Sequence, residues 1–85
     1  MYIVVVKKSA AKEIAELPSK ISNHVLDAIK NLAENPRPLG CKKLKGEHTE
    51  LWRIRVGDYR VIYFIGETIK IVEIRRVGHR KDIYE

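Results

Sequence analysis

Arg53, Arg55 and Arg60 fall within eight positions of one another in LWRIRVGDYRVIYF, residues 51–64. The chemistry open to such a group is anion binding. Guanidinium keeps its charge at any physiological pH, and its planar donors match phosphate or carboxylate oxygens two at a time. The stretch alternates as a hairpin does. Trp52, Ile54 and Val56 point one way, and Leu51, Arg53 and Arg55 the other. Gly57-Asp58 fits a two-residue type II′ turn. That turn sets Val56 against Tyr59, Arg55 against Arg60 and Arg53 against Ile62, so the three arginines share one face. Directly opposed like charges destabilise a sheet by roughly 0.2–1 kcal/mol. The pairing therefore points to an anion between the two arginines, with phosphate the natural candidate. A solvated basic face neutralised by Glu73 is the plain alternative, and a one-residue slip in register would undo the grouping.

Further candidates lie around the hairpin. In VGHRKDIYE, residues 77–85, His79 can accept a proton, Arg80 can clamp a phosphate, and Tyr84 can donate or stack. Taken alone, the same residues read more readily as a plain polar tail. Lys42, Lys43 and Lys45 form a basic run. With Lys81, they can meet a nucleic-acid backbone or simply stay solvated. His24, Cys41, His48 and His79 lack metal-ligand spacing, so neither metal nor other cofactor is expected. No Gly-rich phosphate loop and no Ser-His-Asp pattern occurs. Trp52 reads as core.

These residues need a frame, and the chain of 85 residues implies a single domain over 1–85. Hydrophobic residues make up 45 %, enough for a core. The net charge is +6. Residues 1–36 hold five basic and four acidic groups, and residues 37–85 hold twelve and seven. The positive field thus belongs to the second half, which favours nucleic acid, an anionic surface or an acidic protein. One cysteine, Cys41, excludes an internal disulfide and suits the cytoplasm. No apolar run approaches the ~18 residues of a membrane span, and no membrane partner is expected.

Tyr2–Val6 reads as a strand buried on both faces. Ser9 can cap a first helix carrying Ala10, Ile14 and Leu17. A second helix, after Pro18, carries Ile21, Val25, Ala28, Ile29 and Leu32 as a stripe. Asn35-Pro36-Arg37-Pro38 stops it. Residues 39–50 read as a polar loop. Strands are expected over about 51–56, 59–65 and 68–77, with two-residue turns at Gly57-Asp58 and Gly66-Glu67. The expected class is α+β: a two-layer β-α-α-β-β-β domain. A helical hairpin packs on one face of a mainly antiparallel four-stranded sheet, and the other face stays partly open.

Four motifs, ENPRP at 34–38, LKG at 44–46, LWRIRVGDYRVIY at 51–63 and VGHRKDIY at 77–84, stand in this order. Together they make the chain resemble the RelE/ParE superfamily of type II toxins, on the RelE side. The resemblance covers nearly the whole chain and implies the same order of elements. It implies an mRNA interferase, an endoribonuclease that cuts mRNA in the ribosomal A site. It also implies an antitoxin partner, and operator DNA met only through the antitoxin complex. The family's basic functional positions fall on Lys45, Arg53, Arg55, Arg60 and Arg80, with His79 before the last, and its tail tyrosine falls on Tyr84. The best-known RelE proteins have lysines where Arg53 and Arg55 stand, and their tail tyrosine lies further from the terminal glycine.

What the resemblance implies chemically is attack of an RNA 2′-OH on the adjacent phosphorus without a metal. The products are a 2′,3′-cyclic phosphate or 3′-phosphate and a 5′-OH. Arg60 with Arg53 or Arg55 would bind the scissile phosphate, and Arg80 would stabilise the phosphate or the leaving oxygen. Tyr84 would stack or assist proton transfer. His79, the one candidate titrating near neutrality, would be general acid or base. Two rivals remain open: a ParE-like inhibitor of DNA gyrase with the same fold, and a non-catalytic RNA-binding module.

Overall fold

The protein is described by a computed structural model that covers residues 1–45, 51–79 and 81. Strand β1 (Ile3–Val6) leads into helices α1 (Lys8–Ala15) and α2 (Ser19–Asn31). Then follow β2 (Lys42–Lys43), β3 (Leu51–Val56), β4 (Tyr59–Gly66) and β5 (Ile71–His79). The sheet order is β1-β5-β4-β3-β2. β1 runs parallel to β5, and the other pairs are antiparallel. The class is the α+β arrangement expected, with five strands in place of four. The added strand, β2, lies in the expected loop and pairs Lys42 with Arg53 and Lys43 with Trp52.

Burial divides the chain as the periodicity requires. Ala10 and Ile14 of α1, Val25 and Ile29 of α2, and Leu32 just beyond it meet Ile54, Val61, Tyr63, Val72, Ile74 and Val77 from one face of the sheet. A fully buried aliphatic side chain contributes about 1.5–3 kcal/mol, so this layer dominates the stability. The start of α1 is governed by the sheet rather than by a capping side chain. Lys7 N–H donates to Ile74 O at 3.0 Å, which extends the parallel ladder, and Ala11 N–H returns to Lys7 O at 2.8 Å. The N-cap is therefore Lys7, without a side-chain cap bond, and Ser9 falls inside the first turn. Pro18 caps α2.

Two further expectations change. β1 is buried on one face only, with Ile3 66 % and Val5 41 % exposed. It sits at the sheet edge, and no helix covers its second face. The β4–β5 connection is not a two-residue turn: Gly66 pairs with Ile71, leaving Glu67–Lys70 as a four-residue loop. The left-handed position there belongs to Lys70, at φ 57°. The β3–β4 turn does match: Gly57 has φ 61°, and Asp58 is not left-handed, which is the II′ pattern.

The segment after α2 is tied to the sheet. Tyr63, on the core face, donates its hydroxyl to Pro36 O at 2.7 Å. Burial pushes the pKa of this phenol up. Asn35 Oδ1 accepts the Arg37 N–H at 3.1 Å, closing the turn. The Arg37 guanidinium lies 4.8 Å from the Trp52 ring centroid and pairs with Glu67. Glu67 also accepts the Tyr2 hydroxyl at 2.7 Å. The Pro-Arg-Pro element thus ends α2 and clamps the β4–β5 loop to the N-terminal strand.

Candidate phosphate-binding face

β3 and β4 place the arginines. The register sets Val56 against Tyr59, Arg55 against Arg60 and Arg53 against Ile62, as the turn predicts. Val56 and Tyr59 close a two-residue hairpin, so Arg55 and Arg60 form the next, non-hydrogen-bonded pair. In such pairs the Cα atoms lie only about 4.5 Å apart. Lys42 faces Arg53 from β2, adding a further cation to this side of the sheet.

The three arginines differ in setting. Arg53 is 2 % exposed, Arg60 is half-buried, and Arg55 is exposed. Alternation alone placed Arg53 on the open face without revealing its burial. A buried guanidinium is costly unless held by partners, and Arg53 and Arg60 both have them. Such groups are preorganised, which distinguishes this face from a layer of freely solvated charge. Arg55 borders a surface groove of about 380 Å³ together with Ile54 and, from α2, Ala28 and Asn31. It stands where the open face meets the free edge of β3.

The other candidates divide. Lys43, opposite Trp52, belongs by alternation to the helix side, and its side chain is exposed. Lys45 is exposed beyond β2, and Lys81 is exposed beyond β5. His79 closes β5, opposite Tyr59. Its ring meets Tyr59 edge-on with centroids 5.4 Å apart, and its Nδ1 accepts the Lys81 N–H at 3.1 Å. Tyr59 lies on the α2 side, sharing a surface pocket with Ile21 and His24. His79 is therefore placed on the helix side of the sheet, away from the Arg55–Arg60 pair. Arg80 and Tyr84 lie outside the described residues, as does His48.

Several residues were not singled out from the sequence. β5 carries a bulge: Ile62 pairs with Arg76 and Tyr63 with Ile74, so Arg75 is the extra residue. The signal was present in the spacing of the buried positions Val72, Ile74 and Val77, two and then three residues apart. Arg75 donates to Glu73 and lies over Phe64, 5.3 Å from the ring centroid. Arg76 binds Glu13 Oε2 at 3.1 and 3.2 Å, and Glu13 Oε1 accepts the Val77 N–H at 2.9 Å. A helix carboxylate thus satisfies β5 where β1 no longer runs beside it.

Among the described residues, no cluster of His, Cys, Asp or Glu could hold a metal. No described helix is long and apolar enough to cross a membrane. The described residues form a small two-layer domain with a cationic sheet face, part of it buried.

Comparison with known proteins identifies the lineage. Residues 4–84 match the family of ParE toxins of the type II toxin–antitoxin system parDE. Toxin RelE of Mycobacterium tuberculosis is 34 % identical over 84 residues, covering 98 % of this chain and 86 % of that protein. The archaeal RelE–RelB complex of Pyrococcus horikoshii superposes with a TM-score of 0.83 at 30 % identity, covering 96 % of this chain and 98 % of that one. The toxin–antitoxin complex RelBE2 of Mycobacterium tuberculosis gives a TM-score of 0.81 at 30 % identity, over 93 % and 98 %. The chain belongs to the RelE/ParE superfamily of type II toxins.

Proposed function

We propose that this toxin is an endoribonuclease that cuts mRNA in the ribosomal A site, without a metal ion. The observation that carries the reading is the directly opposed Arg55–Arg60 pair beside the buried Arg53. With a scissile phosphate between the guanidiniums it becomes a charge clamp. Attack of the 2′-OH on phosphorus builds negative charge on the phosphoryl oxygens, and groups already fixed in place stabilise that charge more than they stabilise the ground state. Arg80 would share this task or meet the leaving 5′-oxygen, and Tyr84 would stack or assist proton transfer.

The three arginines keep their protons and cannot act as base. His79 is placed on the other side of the sheet, so the proton is moved by the tail or by groups of the ribosome. Orientation of the RNA on the ribosome then contributes much of the rate, since positioning alone is worth several kcal/mol. Lys42, Lys45 and Lys81 would hold the RNA backbone, and Lys43 does so only from the helix side. The same reading gives the toxin a cognate antitoxin, which the RelE–RelB assemblies among its relatives support, and it would meet operator DNA only through that complex.

One observation favours a second reading. The matching family model is that of ParE toxins, and a ParE-like protein would inhibit DNA gyrase with no nuclease activity. The arginine pair supports the nuclease, because a gyrase inhibitor needs no phosphate clamp. Expression of the toxin separates the two. New mRNA ends within translated regions support the nuclease; DNA breaks with intact mRNA support the gyrase inhibitor.

A further inference from the structure

We propose that Phe64, Arg75 and Glu73 form a platform on which a nucleobase of the mRNA stacks, beside the phosphate clamp. The inference rests on the RNA-cleaving reading above and adds to it a base-binding subsite. Phe64 lies on the open face, two strand repeats along β4 from Arg60. The repeat is about 6.8 Å, so the ring stands about 13 Å from the clamp, within reach of a flanking nucleotide of an extended strand.

The group is built rather than incidental. The bulge at Ile62/Tyr63 inserts Arg75 into β5 and turns it over Phe64, 5.3 Å from the ring centroid. Glu73 stands opposite Phe64 across the β4–β5 ladder and holds the Arg75 Nε. The Arg75 and Glu73 side chains remain about one-third exposed, at 31 % and 30 %. The ring reaches toward Gly66, where a Cβ would lie 3.4 Å from Phe64 Cε2 and 3.0 Å from Ile69 Cγ1. One guanidinium face is thus backed by an aromatic ring, its rotation is fixed by a carboxylate, and about a third of its side chain is exposed. Guanidinium planes and aromatic rings are the surfaces on which proteins stack single-stranded bases. A base seated there would also present its amino group to Glu73, an acceptor.

The test is cleavage of mRNA on programmed ribosomes, comparing intact mRNA with mRNA carrying single abasic nucleotides on either side of the cut. The wild-type toxin should lose about 5- to 150-fold in kcat/KM at one abasic position. F64L and R75Q should be reduced by a similar factor on intact mRNA and lose little more at that position. If both variants keep the full wild-type sensitivity to the abasic site, the platform is wrong while the RNA-cleaving reading stands. A wild-type toxin that cuts no mRNA on the ribosome overturns that reading and the platform with it.

Discussion

His79 meets Tyr59 edge-on, with planes at 82°, on the helix side of the sheet, whereas Arg60, the next residue after Tyr59, belongs to the opposite face. The one histidine of the strands is thus separated from the guanidiniums by the sheet itself. A group acting as general acid or base contributes about 10²- to 10⁴-fold. His79→Gln should therefore change the cleavage rate by only a few-fold. A loss of 100-fold, with a pH–rate profile that loses a limb near neutrality, would restore His79 to the chemistry.

The Arg55–Arg60 pair should show a trade between stability and activity. Arg55→Gln removes a directly opposed like charge and should stabilise the fold by roughly 0.2–1 kcal/mol. In a domain of this size that raises Tm by a few degrees. The same change should slow cleavage by about 10²- to 10³-fold. Inorganic phosphate should raise the Tm of the wild type more than that of the variant. Thermal melts with and without phosphate read both effects, and an Arg55→Gln protein that melts lower would contradict the unfavourable pairing.

Much of this was legible in the residues. The II′ turn at Gly57-Asp58 fixed the hairpin register, because Gly57 supplies the positive φ and alternation carries the pairing outward. The apolar stripes of α1 and α2 named the core. Burial was not legible, because alternation tells a side chain's face but not what covers it; β1 was misjudged for this reason, and the burial of Arg53 went unread. Nor was the bulge at Arg75 read, since a period-2 reading of IVEIRRV passes over the extra residue. The Gly66 turn misled because Gly-X suggests a tight turn, whereas this glycine serves close packing by Phe64 and Ile69.

Tyr63 ties the Pro36 carbonyl to the core at 2.7 Å. Tyr63→Phe leaves that buried acceptor without its donor and should cost about 1–3 kcal/mol, with cleavage per folded molecule unchanged. Burial raises the phenol's pKa in the fold above its unfolded value. Its contribution is then complete below about pH 10 and declines as pH rises beyond it. Tyr63→Phe should flatten the alkaline limb of the stability profile, read by urea melts across pH. An unchanged limb would place the alkaline loss elsewhere.

Glu67 should govern part of the acid limb. The Tyr2 hydroxyl and then Arg37 hold its carboxyl below the usual range. That contribution is present above the unfolded pKa of about 4.3 and lost as pH falls through the lower folded value. Glu67→Gln should reduce stability at neutral pH and flatten the profile below pH 5. A variant that parallels the wild type throughout would show the Tyr2–Glu67–Arg37 link to be inert.

The most direct measurement of the central claim is mapping of mRNA 5′ ends after toxin expression, in cells with active translation and in cells where initiation is blocked. Wild-type toxin should produce new 5′-OH ends within coding regions only while ribosomes translate. Arg60→Ala, folded and still bound by antitoxin, should produce at least 100-fold fewer. Equal cleavage by Arg60→Ala, or growth arrest by the wild type with intact mRNA, would contradict the account.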